Sequence, residues 1–185
     1  MVLFSKLVFW LAGWKLNYKQ SPHLKRCVMI AAPHTSNWDF IFARSAFFLM
    51  GVEMKYMIKK ELIRFPFGGM LKSMGAIPID RSKKSNVVDY CISLFGEQKD
   101  LVIMIPPEGT RGKVEKWKSG FYHVALGAKV PIGLGYLDFK KKEAGIGDFF
   151  IPTGDIQKDF EIIKKFYSTV TPENPELFDP ESIRP

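Results

Sequence analysis

Residues 101–111 read LVIMIPPEGTR, which joins five apolar residues to a polar turn. An uninterrupted apolar run of this length, ended by Pro106 and Pro107, is typical of a buried strand that leads into a loop. A second run, RCVMIAA at 26–32, also predicts a buried strand and is followed by the polar stretch PHTSNWD at 33–39. Both patterns place chemically reactive side chains in loops directly after strands.

Further apolar runs alternate with amphipathic stretches along the whole chain. This alternation predicts an α/β fold, a single domain with a mixed, largely parallel sheet covered by helices. In such sheets ligands bind at the loops that follow strand ends. The predicted strands are 26–32, 54–58, 76–80, 101–105, 130–137 and a strand or strand pair within 145–154. The predicted helices are 36 or 37 to 50, two short pieces within 60–75, 85 or 86 to 96, 118–128 and 156–168.

The charge of the chain indicates an anionic partner. With 185 residues it carries a net charge of +8 and has a pI of about 9.4. Nucleic acid, a phospholipid surface and a phosphorylated small molecule all fit this charge. No nucleic-acid motif is present and the basic residues are spread along the chain, so we expect no nucleic-acid partner. Cys27 and Cys91 lie in apolar runs outside any metal-binding pattern, so we expect buried thiols and no metal site.

The two ends of the chain differ in character from its middle. Residues 1–19 place apolar side chains at helical spacing, but the run is interrupted by Lys6 and is too short to span a bilayer. This pattern predicts an amphipathic helix that lies either in a membrane interface or against the core, and both alternatives stay open. Residues 171–185 contain four prolines and predict an extended tail.

His34 and Asp39 are the first candidates for chemistry. They flank the predicted start of a helix, where a residue before the first turn and one within it can approach each other. A carboxylate that accepts from Nδ1–H would fix the histidine tautomer and leave Nε2 as a base. The alternative is that Asp39 complements the helix dipole and His34 only packs locally.

Two further loops carry candidate anion-binding residues. Arg81 follows the strand at 76–80 and could hold a phosphate or form a surface ion pair. Glu108, Gly109, Thr110 and Arg111 form a turn that could bind a hydroxyl and an anion, or simply be a polar turn. No motif for a protein nucleophile is present, which favours a substrate hydroxyl as the nucleophile.

Four short blocks along the chain resemble the glycerolipid acyltransferases, and by pattern the 1-acylglycerol-3-phosphate acyltransferases of bacterial phospholipid synthesis. Four blocks in order are far more specific than any single one. The resemblance covers roughly residues 26–135 and implies an acyltransferase domain at 20–170. The blocks are His34-x4-Asp39, GAIPIDR at 75–81, PEGTR at 107–111 and VPI at 130–132.

The resemblance implies the role of each candidate residue. His34 would deprotonate the acceptor hydroxyl and Asp39 would orient His34. Arg81 would bind the phosphate of the acceptor, Glu108 to Thr110 would position the acceptor, and Arg111 would share the phosphate.

The resemblance also implies the partners and the location. The donor would be acyl-CoA or acyl carried on acyl carrier protein, with no cofactor, and the acceptor a lysophospholipid, first of all 1-acyl-glycerol-3-phosphate. Another lyso-lipid or an aminoacyl lipid as acceptor stays open, as does a non-catalytic lipid-binding protein with the same fold. We expect a peripheral or monotopic protein on the cytoplasmic face of a membrane.

Overall fold

The computed structural model describes residues 1–63, 66, 68–79 and 87–185, and for Leu62 it describes the backbone alone. Strands and helices alternate through most of this part of the chain. The strands are β1 (Lys15–Asn17), β2 (Arg26–Ala31), β3 (Met54–Lys59), β4 (Ala76–Ile79), β5 (Leu101–Ile105), β6 (Ile132–Asp138) and β7 (Glu143–Phe150). The helices are α1 (Val2–Ala12), α2 (Trp38–Met50), α3 (Gly68–Ser73), α4 (Val87–Glu97), α5 (Gly120–Ala128) and α6 (Ile156–Tyr167).

The strands form one mixed sheet in the order β1-β7-β6-β2-β5-β3-β4. Strands β6, β2, β5, β3 and β4 run parallel, while β7 pairs antiparallel with β6 and β1 pairs parallel with β7. The predicted α/β fold with a largely parallel sheet is therefore confirmed. Because β2 and β5 are neighbours, the two polar loops that follow them leave the sheet side by side.

The central strands are buried on both faces, which explains their uninterrupted apolar sequences. In β2, Val28 and Ile30 pack on the side of α4, α5 and α6, whereas Cys27 and Met29 pack on the side of α1 and α2. Successive side chains of a strand point to opposite faces, so every position of such a strand must be apolar. Both cysteines are free and buried, as the sequence predicts.

The N-terminal segment differs from the single helix predicted over residues 1–19. Helix α1 ends at Ala12 because Gly13 adopts a left-handed conformation with φ 70°. Trp14 is then buried against Phe42 of α2, with ring centroids 4.2 Å apart, and residues 15–17 join the sheet as β1. No helix of the described residues is long and apolar enough to cross a bilayer.

The C-terminal segment, residues 171–185, also differs from the extended tail that its prolines predict. It contains two short 3-10 turns, Pro175–Leu177 and Pro180–Ser182. Ile183 is only 2% exposed and belongs to the main hydrophobic core. Proline prevents a regular helix here, but it does not prevent the apolar side chains between the prolines from packing on the domain.

Candidate active site

His34 lies in the loop between β2 and α2, at the carboxyl edge of the sheet. Its Nδ1 atom is 2.9 Å from Oδ2 of Asp39, the second residue of α2. A carboxylate at this distance accepts a hydrogen bond from Nδ1–H, so the free lone pair of the neutral imidazole is on Nε2. None of the described residues forms a hydrogen bond with Nε2, so this atom is available to accept a proton.

Asp39 is held in place by the start of the helix that carries it. Its Oδ2 atom also accepts hydrogen bonds from the backbone N–H groups of Thr35 and Ser36, at 2.8 and 2.9 Å. These groups precede the first turn of α2, where donors have no partner within the helix. The five-residue spacing lets a carboxylate on the first turn of α2 reach back to the loop that precedes the helix, and Asp39, only 5% exposed, is fixed beside the imidazole.

Glu108 supports His34 from the neighbouring loop. Its Oε1 atom accepts the backbone N–H of His34 at 3.1 Å, and the residue is only 6% exposed. Burial raises the pKa of Glu108 to about 7, although hydrogen bonds from backbone N–H groups oppose the rise. The sequence predicts that Glu108 positions the acceptor; the structure places it against the backbone of the histidine loop.

The rest of the second loop turns back sharply toward the sheet. Gly109 has φ +67°, and its N–H donates to the carbonyl of Pro106 at 3.2 Å. The positive φ favours glycine at this position, and the side chain of Lys118 lies directly against it, with Nζ 2.6 Å from where a Cβ would stand. The turn leaves Thr110 and Arg111 exposed.

Residues 15–133 match a family model described as Acyltransferase, and this range contains the whole site described above. The chain belongs to the acyltransferase family. The match covers more than half of the chain and includes the residues that follow β2, β4 and β5.

Curated relatives of this family member carry one common description. The chain is 32% identical over 133 residues to a 1-acyl-sn-glycerol-3-phosphate acyltransferase of Limnanthes alba, which covers 68% of the chain and 46% of that relative. A protein of the same description from Cocos nucifera is 28% identical over 137 residues, covering 69% of the chain and 42% of the relative. The chain therefore spans about half the length of the curated relatives it matches.

A solved acyltransferase structure has the same fold. It is the 1-acyl-sn-glycerophosphate acyltransferase PlsC from Thermotoga maritima, with a TM-score of 0.62 and 16% identity. The match covers 91% of this chain and 74% of the other. At this identity the similarity shows the shared α/β fold.

A cavity of about 1150 Å³ lies at the site of this acyltransferase family member. His34, Asp39, Gly109, Thr110 and Arg111 line it together, so the structure brings five of the seven predicted site residues to one cavity. Glu108 lies beneath them, behind the histidine loop. Arg81 and its neighbour Asp80 lie outside the described residues, and the adjoining Ile79 and Val87 both line the cavity.

Sequence reasoning did not single out two residues that the fold brings to the site. Lys118 lines the cavity beside Gly109, and it has no ion-pair partner within the described part of the chain. Asn174, from the C-terminal segment, binds the backbone and the hydroxyl of Thr35. Neither residue belongs to a motif, because each reaches the site through tertiary packing.

The raised pKa of Glu108 predicts a pH-dependent loss of stability. A carboxyl whose pKa rises from its ordinary 4.5 to about 7 on folding stabilises the folded state below pH 4.5, and this contribution is lost as the pH rises through about 7. At 1.36 kcal/mol for each pKa unit, the loss is about 3 kcal/mol. Glu108→Gln keeps an oxygen that accepts from His34 N–H but cannot ionise, so it should lack this loss.

The measurement is the free energy of unfolding in urea at pH 4.5, 6 and 8 for both proteins. We expect the curve of the wild type to fall below that of Glu108→Gln by about 3 kcal/mol over this range. Glu176→Gln, at an exposed position, should follow the wild type. Parallel curves for the wild type and Glu108→Gln would show that Glu108 ionises at an ordinary pH.

Proposed function

We propose that this chain transfers a fatty acyl group from acyl-CoA or acyl carried on acyl carrier protein to the free hydroxyl of 1-acyl-glycerol-3-phosphate, which gives phosphatidic acid. The observation that carries this proposal is the 2.9 Å contact of His34 Nδ1 with Asp39, beside a large cavity. The descriptions of the curated relatives favour this acceptor.

The proposed reaction needs no covalent enzyme intermediate. His34 Nε2 takes the proton of the acceptor hydroxyl, and the hydroxyl oxygen attacks the thioester carbonyl. When the tetrahedral intermediate collapses, the carbon–sulfur bond breaks and the imidazolium returns its proton to the departing sulfur. Asp39 compensates the positive charge that forms on His34 during this cycle. No metal or cofactor is part of the proposal.

The lining of the cavity suits an acyl chain beside a phosphate. Its walls include Phe40, Phe47 and Met104, which offer the apolar surface that an acyl chain requires. The cationic side chains of Arg111 and Lys118 line the same cavity and would bind the phosphate of the acceptor. We include Arg81 in this phosphate site because of the resemblance of its block.

The surface next to the site supports an approach to lipid. Helix α1 packs on α2 through Phe9, with its ring 6.4 Å from that of Phe42, while most of its other apolar side chains are exposed. Trp38, at the start of α2 beside the histidine loop, is 54% exposed and extends this apolar surface. We propose that the protein is peripheral or monotopic on the cytoplasmic face of a membrane. The exposed residues of α1 include Leu3, Phe4, Leu7, Trp10 and Leu11.

This proposal predicts that α1 controls membrane binding. Trp10 and Leu11 are 75% and 70% exposed, so replacing both with serine should leave the fold intact. It should weaken co-sedimentation with phosphatidylglycerol–phosphatidylethanolamine vesicles by at least about tenfold, since each large apolar side chain contributes about 1.5–3 kcal/mol when buried. The control is Ile151→Ser with Ile162→Ser, which removes two exposed apolar side chains elsewhere. Equal binding by the two double variants would contradict the prediction.

The test of the function is an assay of thiol release with a panel of acceptors. We expect the wild type to release thiol from palmitoyl-CoA or palmitoyl-acyl carrier protein only when 1-acyl-glycerol-3-phosphate is present, and phosphatidic acid to appear in equal amount by mass spectrometry. Thiol release only with a different lyso-lipid or an aminoacyl lipid would show that the proposed acceptor is wrong, while the proposed acyl transfer would stand. Binding of lipid without thiol release from either donor would favour a non-catalytic protein.

A further inference from the structure

The C-terminal segment crosses the edge of the sheet at which the site lies. Near its start, the carbonyl of Thr171 accepts the backbone N–H of Phe139, directly after β6, at 2.8 Å. The segment next reaches the loop after β2, where Asn174 binds Thr35. It ends beyond the loop after β5, where the carbonyl of Ser182 accepts the N–H of Trp117 at 3.0 Å. It thus follows the sheet order β6-β2-β5.

Asn174 holds Thr35 by two hydrogen bonds. Its side-chain Nδ2 donates to the Thr35 carbonyl at 3.0 Å, and its backbone N–H donates to Thr35 Oγ1 at 3.2 Å. Thr35 in turn donates its own N–H to Asp39 Oδ2, the oxygen that also contacts His34 Nδ1. A chain of three contacts therefore connects Asn174 with the imidazole.

The segment is anchored on both sides of Asn174. Before Asn174, the carbonyl of Thr171 accepts the backbone N–H of Phe139 at 2.8 Å. After it, Ile183 is buried in the core, and an ion pair of 2.8 Å joins Glu181 to Lys164 of α6. Such anchors keep Asn174 in place, so that its amide can restrain the loop through the carbonyl of Thr35, a residue that is only 6% exposed. The residues matched by the family model are 15–133, so Thr35 lies within the matched range and Asn174 lies outside it.

We propose that Asn174 is a positioning residue for the His34–Asp39 pair. The proposal rests on the proposed function for its effect on catalysis, but the restraint itself can be measured without any substrate. By fixing Thr35, Asn174 keeps the Thr35 and Ser36 N–H groups aimed at Asp39 Oδ2, and Asp39 keeps Nε2 of His34 in one orientation. Misplacement of a catalytic group by a fraction of a hydrogen-bond length slows chemistry more than it weakens substrate binding.

The first readout is amide hydrogen exchange by NMR. In the wild type the Thr35 and Ser36 amides should be protected from exchange, because both N–H groups donate hydrogen bonds to Asp39 Oδ2. Asn174→Ala should speed their exchange about fivefold to tenfold, the change expected for the loss of one hydrogen bond. The core amides of Val28 and Ile30 should exchange at the wild-type rate. Asn174→Asp has the same size without the side-chain donor, and should behave like Asn174→Ala.

The second readout is steady-state kinetics in the acyl-transfer assay. Asn174→Ala should lower kcat about tenfold and change KM by less than about twofold. The matched control is Glu176→Ala, at an exposed position of the same segment. We expect this variant to resemble the wild type in both readouts.

Several results would overturn the proposal. The first is rapid exchange of the Thr35 and Ser36 amides in the wild type. The second is an unchanged exchange rate of these amides in the Asn174 variants. The third is an equal acceleration of exchange at all amides, which would indicate global destabilisation. Faster local exchange with an unchanged kcat would also overturn it. If the wild type transfers no acyl group to any acceptor, the proposed function fails, whereas the exchange data still decide whether Asn174 restrains the loop.

Discussion

Replacing His34 with alanine should lower acyl transfer by about a hundredfold to ten-thousandfold, the range that a general base contributes. The effect falls on kcat, since the imidazole acts on the proton of the acceptor hydroxyl and contributes little to holding the lipid. The measurement is thiol release from palmitoyl-CoA with and without 1-acyl-glycerol-3-phosphate. His34 is only partly exposed, so the circular dichroism spectrum and the melting temperature of the variant are recorded as well.

His123→Ala is the matched control for this prediction. His123 is an exposed residue of α5. Its replacement should change the rate of thiol release by less than about twofold, because surface substitutions usually have small effects. A folded His34→Ala variant with the rate of the wild type would remove His34 from the mechanism. The proposed reaction would then need a different base.

Replacing Asp39 with asparagine should lower kcat by about a thousandfold, although the shape of the side chain is kept. All three hydrogen bonds of Asp39 go to one oxygen, Oδ2, so the asparagine carbonyl can accept them in the same place. What is lost is the negative charge beside the imidazole. Without it, the imidazolium that forms during proton transfer has no compensating charge, and the transition state rises in energy.

The control for Asp39→Asn is Asp100→Asn, the same substitution at an exposed position before β5. It should keep the rate within about twofold of the wild type. A pH profile of kcat should accompany both variants. A rate for Asp39→Asn within a few fold of the wild type would mean that the negative charge of Asp39 is not needed for the reaction, and that Asp39 acts only through its hydrogen bonds at the start of α2.

Because β2 and β5 are buried on both faces, their positions could be predicted from the sequence. Their apolar runs at 26–32 and 101–105 predicted strands, and the structure places both at the centre of the sheet. The order of the strands could not be read in this way. An apolar run shows that a strand is buried on both faces, but it does not show which strand lies beside it.

The ends of the chain were predicted less well because their sequences are ambiguous. Apolar residues at helical spacing do not show where a helix stops, and only the conformation of Gly13 ends α1 there. Four prolines in 171–185 suggested an extended tail, whereas Ile183 anchors the segment in the core. The contacts that decide both cases join residues far apart in sequence.

The sequence by itself determined the alternation of strands and helices, the position of the candidates His34 and Asp39 around a helix start, and the family to which the chain belongs. These features are local, since a helix start orients the residues just before and after it. Only the tertiary structure decided that Glu108 supports the His34 backbone, that Lys118 reaches the cavity, and that Asn174 restrains Thr35. Each of these contacts joins residues more than 70 positions apart or in different elements, and depends on which strands are neighbours and on the path of the C-terminal segment.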